Sequence, residues 1–281
     1  MQIILDCNWI CYRAAFGMSN LSYDNKQVHI IFDFIRQLLV LAKKFDCSNF
    51  VFCFDSRNSW RKIYSPIYKS NRHKDLTPEQ EADLVDTFRQ MVDLRQIVLP
   101  YMGFRNIFYQ SGYEADDLIA KTIKDNEGKF MVVSSDEDLF QLLDSDVNLY
   151  NFKRILSYAD FCETYKILPI QWPEVKAIAG CSGDNVIGIR GIGEKSAAKY
   201  LTGKLKGKSK EGIESIEGCR IKAFNLPLVL LPFNGKKPLR SCQIVPDEIS
   251  EDRFSSMFGQ YGFRSFLNEE NWKKWGEVFR F

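Results

Sequence analysis

With 281 residues, 45% of them hydrophobic and 14% aromatic, the chain is long enough to bury a sizeable core, and its charged residues (26%) are spread along it rather than gathered in blocks. That profile excludes a disordered polyelectrolyte, and the longest apolar stretches are interrupted by Asp33, Arg36 or Pro232, which argues against a signal peptide or membrane span. The net charge of +2 hides an uneven distribution: setting aside eight carboxylates considered below leaves 28 acidic against 38 basic residues, the balance of a basic body with an acidic pocket that suits divalent cations and a polyanion.

Gln2 to Leu5 predicts a short buried strand ending in Asp6. Val28 to Lys44 carries Ile31, Phe34, Ile35, Leu38 and Leu41 at helical spacing, and Asn49 to Phe54 predicts a second strand ending in Asp55. Thr77 and Pro78 supply an N-cap and a first helical residue for a helix running to about Val98. Phe104 to Tyr109 and Lys129 to Ser134 predict further strands, separated by a helix that begins near Glu114. Beyond about Ser157 the pattern turns helical. Strands alternating with helices imply an α/β fold with a mainly parallel central sheet flanked by helices. We expect an α/β core over 1–155 and a helical region over 156–281. The eight cysteines, among them Cys181, form no CxxC pair or zinc spacing and read as reduced thiols of a cytosolic protein.

In parallel sheets ligands gather at the carboxyl ends of the strands, and that is where Asp6, Asp55, Glu114 to Asp117, and Asp136 with Asp138 fall. Taken singly, acids in the first turn of a helix complement its dipole, and aspartates after a strand are ordinary turn residues. Taken together, carboxylates converging on one sheet edge repel one another unless cations bind. Oxygen-only ligands select Mg²⁺ or Mn²⁺, and two histidines, His29 and His73, are too few for a zinc catalytic site. Two such ions roughly 4 Å apart suit in-line displacement at phosphorus.

Between Arg57 and Lys74 lie six basic residues (Arg57, Arg61, Lys62, Lys69, Arg72, Lys74), no acid, and Trp60, Tyr64 and Tyr68. Basic side chains neutralise phosphates and aromatic faces stack on unpaired bases, so the segment reads as a single-strand contact, against the plainer reading of a solvated loop. Gly188 to Lys199 places Gly191 and Gly193 in a tight turn opening into a helix, where backbone amides can hold a phosphate.

Asp6, Phe54-Asp55-Ser56, Tyr68-Lys69-Ser70-Asn71-Arg72, Glu114-Ala115-Asp116-Asp117, Ser134-Ser135-Asp136-Glu137-Asp138, Gly183-Asp184-Asn185 and Gly191-Ile192-Gly193-Glu194-Lys195 occur in the order seen in the 5′-nuclease family, which this chain resembles over roughly residues 1 to 203. That family includes bacteriophage 5′ to 3′ exonucleases, flap endonucleases and the 5′-nuclease domain of bacterial DNA polymerase I. The resemblance implies a PIN-like nuclease core and a helix-three-turn-helix DNA-binding region, with its hairpin at 183–200. It implies that Glu114, Asp116 and Asp117 hold one metal with Asp6 and Asp55 contributing, and that Asp136, Asp138 and Asp184 form a second site. It makes 57–74 an arch, in which Lys69 faces the scissile phosphate supported by Arg72 and Tyr68, with Arg57 and Arg61 on the strand. It gives Gly191, Gly193, Lys195 and Lys199 to duplex binding, extended by the lysines up to Lys210.

One position departs from the family pattern Gly-Asp-x-x-Asp-Asn. Here the run is Gly180-Cys181-Ser182-Gly183-Asp184-Asn185, so Cys181 stands where an acid is usual, and a buried structural thiol is the plainer reading of it. The resemblance implies metal-assisted hydrolysis of DNA at a 5′ end or flap, with Mg²⁺ as cofactor and Mn²⁺ able to substitute. RNA primers in RNA/DNA hybrids are a further expected substrate. A free-standing enzyme of replication or repair is expected, in the cytoplasm of a bacterium or a phage-infected one, with a non-catalytic DNA-structure binding protein as the alternative.

Overall fold

A computed structural model describes residues 1–17, 21–72 and 74–281; His73 lies outside the described residues. Its centre is a six-stranded sheet of β1 (Gln2–Asp6), β2 (Phe50–Cys53), β3 (Ile107–Phe108), β4 (Phe130–Val133), β5 (Val147–Tyr150) and β6 (Ile155–Leu156) in the order β3-β2-β1-β4-β5-β6. Every pairing is parallel except that of β5 with β6. Each residue of β2 and β4 is buried, as expected of short apolar strands covered on both faces. The strand order reverses about β1, whose flanks are filled first by β2 and later by β4. Their carboxyl ends therefore border the crevice in which such sheets bind ligands.

One face is covered by α1 (Cys7–Gly17), which starts directly from β1, and by α2 (His29–Phe45), whose apolar stripe buries Ile31, Phe34, Leu38 and Leu41. The short α3 (Trp60–Tyr64) follows β2. Thr77 caps α4 (Pro78–Asp93) and Pro78 opens it, as the sequence predicts, and the structure adds a reciprocal box between Thr77 and Gln80. The expected end near Val98 falls inside a continuous helix: a π turn over Leu94–Val98 leads into α5 (Leu99–Met102). Pro100 has no N–H to donate back along the helix, and the widened turn before it accommodates that gap. The strand expected over 104–109 is shorter, Ile107–Phe108.

On the other face lie α6 (Ala115–Asp125), α7 (Tyr158–Tyr165), α8 (Trp172–Ala179) and α9 (Glu194–Leu201), packed around Trp172, Phe161, Ile119 and Ala197. Then come α10 (Lys208–Glu214) and α11 (Ile216–Val229), the latter against α8. An extended segment follows and runs past the β3 edge, where the Asn106 side chain pairs with both backbone groups of Val245 at 2.8 Å. Such a strap shields an otherwise open strand.

The C-terminal extension of the region expected over 156–281 packs back on the sheet. The final helices α12 (Glu251–Gln260), α13 (Arg264–Leu267) and α14 (Glu269–Phe279) return to the first face and bury Phe254, Phe258, Phe266, Trp275 and Phe279 against Phe34, Phe50, Phe52 and Phe104. The Phe254 and Phe279 ring centroids are 5.1 Å apart and those of Phe104 and Phe254 6.0 Å. Apolar residues recurring every three or four positions (Phe254, Met257, Phe258) carry that packing, so residues 251–281 complete the core on the first face of the sheet. All eight cysteines are free, and no described helix is long and apolar enough to cross a membrane.

Candidate active site

Seven of the eight predicted carboxylates meet at the carboxyl ends of β1, β2 and β4. Asp6 ends β1, accepting from the Trp9 amide at 3.1 Å and from Ser134 Oγ at 2.8 Å. Ser134 Oγ also accepts from the Asp136 amide at 3.1 Å, so one hydroxyl ties the ends of β1 and β4. Asp55 Oδ1 accepts from the Ala115 amide at 2.6 Å, which joins β2 to the start of α6, and the Asp55 amide donates to Asn8 Oδ1. Asp136 caps the turn that carries Asp138, accepting from its amide at 2.8 Å.

Burial and mutual repulsion govern the protonation of these acids. Asp6 is pushed up to about 7, first by desolvation and then by Asp55 and Asp136. Asp138 is likewise pushed up to about 7 by desolvation and by Asp136. Desolvation, Asp136 and Asp6 hold Asp116 well above the carboxylate range. Glu114 behaves in the opposite way: burial alone would raise it, but Lys69 and Arg61 outweigh burial and hold it down at about 2. Lys69 Nζ lies 2.7 Å from Glu114 Oε2 and 3.8 Å from Asp184 Oδ2.

The arch segment is folded onto the site. Lys69 has φ +53°, and its amide donates to the Asp184 carbonyl at 2.8 Å. Asn185, itself in the left-handed region at φ +56°, donates its side-chain amide to Ile67 O and Ser70 Oγ. An asparagine suits both tasks, which accounts for its place after Asp184. Arg72 Nη2 donates to Asp184 Oδ1 at 2.6 Å, with half of its side chain open to solvent. Tyr68 is buried, its hydroxyl 3.0 Å from both Glu114 Oε2 and Asp184 Oδ2. The catalytic role expected for Tyr68 is therefore corrected to positioning, because its hydroxyl lies between two carboxylates and has no open path to a substrate.

Two further expectations are corrected. Asp117 is 0% exposed, accepts both guanidinium branches of Arg61 at 2.7 and 2.8 Å, and also accepts the amides of Phe233 and Glu114. Its oxygens are already occupied by that guanidinium and those two amides. Arg61, expected on nucleic acid, is 2% exposed and also donates to Leu228 O. The spacing Glu-x-Asp-Asp could not tell Asp117 from Asp116, since neighbouring residues on the first turn of a helix face different sides and packing decides which of them meets the site.

Several participants were not predicted. Lys176, the one lysine on the apolar helix α8, is 4.0 Å from Asp138 Oδ1, 3.1 Å from Glu137 and 2.7 Å from Glu194, linking the sheet edge to the start of α9. A lone charge on a buried face was the signal. Beside Asp55 and Glu114 opens a cavity of about 590 Å³ lined by Arg57, Lys62, Lys69, Arg72, Arg95, Phe88 and Tyr109. Arg57 lies 4.7 Å over the Phe88 ring and Arg95 3.6 Å over that of Tyr109. Arg95, Phe88 and Tyr109 carry no local sequence signal, because their meeting depends on how α4 packs.

Away from the acids, a two-residue ribbon pairs Gly180-Cys181 with Val186-Ile187. Gly180 (φ +79°) and Gly188 meet so closely that a Cβ on Gly188 would stand 2.0 Å from Ala179 O. The turn beyond exposes Gly191 and Gly193, the latter capping α9, and leaves Lys195 and Lys199 open to solvent. Ile189 and Ile192 anchor it in the second core. The free amides of a first helical turn there face water.

Donor chemistry fits divalent cations. The ligand atoms of Asp138, Cys181 and Asp184 lie within 4.8 Å of one another, and Asp138 Oδ1 is buried without a hydrogen-bond partner among the described residues. Asp6 and Asp138 titrate near 7 in the folded chain against 3.8 ordinarily, so between those values the folded state holds more protons than the unfolded one. Stability from these two groups is full below about pH 4 and is lost as pH rises through about 7. A divalent ion binds the deprotonated acids. The rise in melting temperature produced by millimolar Mg²⁺ should therefore be larger near pH 8 than near pH 5, as differential scanning fluorimetry would read. Equal shifts at both pH values would show that the acids do not bind the ion.

A family model of the 5′-3′ exonuclease, N-terminal resolvase-like domain, matches residues 1–166. The 5′-3′ exonuclease of Mycoplasmopsis pulmonis is 31% identical over 206 residues, 71% of this chain and 65% of that protein. DNA polymerase I of Mycobacterium leprae is 31% identical over 233 residues, 78% of this chain, and this chain spans only 24% of that polymerase. Bacteriophage T5 5′-exonuclease with bound zinc has a similar fold, with TM-score 0.68 and 24% identity over 83% of this chain and 90% of that one. So has the T5 flap endonuclease complexed with DNA and metal ions, with TM-score 0.68 and 23% identity over 81% and 88%. With its acids at the strand ends and its match over more than half its length, the chain belongs to the 5′-3′ exonuclease family.

Proposed function

We propose that this chain is a structure-selective 5′-nuclease that hydrolyses phosphodiester bonds at or near 5′ ends or flaps of DNA, in replication or repair. The observation that carries the reading is the meeting of seven acids with Lys69 and Arg72 at one end of a parallel sheet. Asp6, Asp55, Glu114 and Asp116 would hold one divalent ion, and Asp136, Asp138 and Asp184 a second, with Mg²⁺ the physiological choice and Mn²⁺ a substitute. Such ions, when bound, supply Lewis-acid stabilisation of charge at phosphorus and make water a better nucleophile.

The chain's own groups do the rest. Lys69 Nζ neutralises charge growing on the scissile phosphate, and Arg72 steadies Asp184 while its open side faces the same phosphate. Tyr68 fixes the two carboxylates it touches. The basic and aromatic cavity with Arg57, Lys62, Arg95 and Tyr109 receives the unpaired strand. The region from about 156 to 230 is the helix-three-turn-helix, in which Gly191, Gly193, Lys195 and Lys199 grip duplex backbone. Backbone contacts of this kind do not discriminate strongly between strands, so RNA primers in hybrids fall within the proposed range.

A labelled 5′-flap duplex incubated with and without Mg²⁺ tests the reading. Cleavage to a 5′-phosphate-bearing product only with the ion is expected. Tight binding without cleavage in Mg²⁺ or Mn²⁺ would instead favour a non-catalytic DNA-structure binding protein. Lys195→Ala should weaken duplex binding and reduce the salt slope of log affinity by about one unit, leaving the rate at saturating enzyme little changed. An unaltered slope would remove Lys195 from the interface.

A further inference from the structure

Resting on the nuclease reading above, we propose that the second ion site of this chain is a mixed carboxylate and thiolate site, built by Asp138, Asp184 and Cys181, that prefers a thiophilic divalent ion such as Zn²⁺ or Co²⁺ to Mg²⁺. A thiol merely packed in the core, the plainer sequence reading, would lie apart from the acids. Instead the Cys181 sulfur and one oxygen from each aspartate lie within 4.8 Å of one another, close enough for modest side-chain rotation to bring all three onto one ion. Extended backbone at Cys181 leads into a single tight turn over Ser182–Asp184, closed by the Asn185 amide on Ser182 O at 3.2 Å, which carries Asp184 back toward Cys181.

A second observation independently calls for a ligand. Asp138 Oδ1 is buried and has no hydrogen-bond partner among the described residues. Its nearest cation, Lys176 Nζ, stands off at 4.0 Å and is engaged by Glu194 at 2.7 Å and Glu137 at 3.1 Å. A buried carboxylate oxygen left without a partner is costly, and an ion seated between it and the sulfur would remove that cost. Asp184 is already oriented by Arg72 and Tyr68 with lone pairs to spare.

Replacing a hard oxygen by sulfur moves the preference of the site. Mg²⁺ takes oxygen ligands in near-octahedral geometry and gains little from a thiol, whereas Zn²⁺ and Co²⁺ bind thiolate and accept three protein ligands with an open position. On ligation the sulfur–metal bond forms and the thiol proton passes to solvent, with no change of oxidation state. The first ion group, all oxygen, keeps its preference for Mg²⁺, so the two sites of one chain would differ in the ion they select.

The test titrates Co²⁺ into the full, chelator-treated chain, following sulfur-to-cobalt charge-transfer absorption alongside calorimetry. A band that saturates with a single ion is expected for the wild type and is expected to be absent in Cys181→Ser and Cys181→Asp. Cys181→Ser should weaken Zn²⁺ at this site by about tenfold or more, since losing even an outer-sphere partner costs that much. Cys181→Asp should bind Mg²⁺ there more tightly than the wild type. Calorimetric binding of ions with no band in the wild type, or a band that survives in Cys181→Ser, overturns the mixed site and leaves the nuclease reading standing. Absence of binding by both readouts overturns both.

Discussion

Lys69→Ala is expected to lower the single-turnover rate at saturating enzyme by roughly two orders of magnitude or more, the loss typical of one preorganised electrostatic contact. The argument starts from the backbone. Lys69 sits at φ +53°, a conformation uncommon for a lysine, and its amide is tied to the Asp184 carbonyl, so the side chain springs from a fixed point. From there Nζ reaches Glu114 at 2.7 Å and Asp184 at 3.8 Å, with 17% of the side chain still open to solvent. Burial would depress the charge of this lysine, but Glu114 and Asp184 more than compensate and hold it protonated. A permanent cation already in place at the mouth of the acid cluster costs no reorganisation when charge develops on a phosphate. Affinity for DNA should change far less than the rate, and Lys69→Arg should recover part of the activity. The variant should also free Glu114 to titrate upward, since Lys69 contributes the largest opposing effect to its burial. A Lys69→Ala enzyme with normal rate at saturation but weak binding would make Lys69 an affinity residue instead.

Strands β1, β2 and β4 and helix α2 were legible because each is short and apolar or long and periodic, and the positions of Asp6, Asp55 and Asp136 follow from the strand ends alone. Thr77 and Pro78 announce their helix start by local chemistry that tertiary packing does not override. Other features were illegible for identifiable reasons. The helix α1 departs from β1 with no intervening loop, its polar cap being Asp6, the last residue of the strand itself, and it buries Cys7, Asn8, Ile10, Cys11 and Ala14, so neither a separate boundary signal nor a clear amphipathic stripe marks it. The strand β5 follows Asp144 and Asp146 within a stretch that reads as a turn. Residues 251–281 carry a clear helical pattern, yet periodicity says that a helix buries a face and not which surface receives it; only the sheet's uncovered phenylalanines, Phe50 and Phe52, answer that. In the site, spacing located the acids but could not say which oxygens were already taken. That limit produced the error at Asp117 and hid Lys176.

Asp117→Ala is expected to destabilise the metal-free protein by about 3 to 5 kcal/mol, the cost of removing one partner from a buried ion pair, without changing how many divalent ions bind. The Arg61 side chain is 3% exposed and the Asp117 side chain 0%, so the guanidinium left behind has no water to turn to. Two amides, those of Phe233 and Glu114, lose their acceptor as well. The pair pins three distant parts of the chain, α3, the start of α6 and the strap that begins near Phe233, which is why its loss should also blur the position of Glu114. Arg61→Met combined with Asp117→Leu should recover part of the stability, because an apolar pair leaves no charge unpaired, but not all of it, since the two amides remain without an acceptor. Asp116→Ala, one residue away, should behave in the opposite sense. Its carboxyl is held well above the usual range by burial and by Asp136 and Asp6, so its removal relieves repulsion and should raise metal-free stability while weakening divalent binding. Urea midpoints in chelator, paired with calorimetric ion counts, separate the two residues. An Asp117→Ala protein as stable as wild type that binds one ion fewer would restore Asp117 to the metal ligands and assign the Arg61 contact to the ion-free state alone.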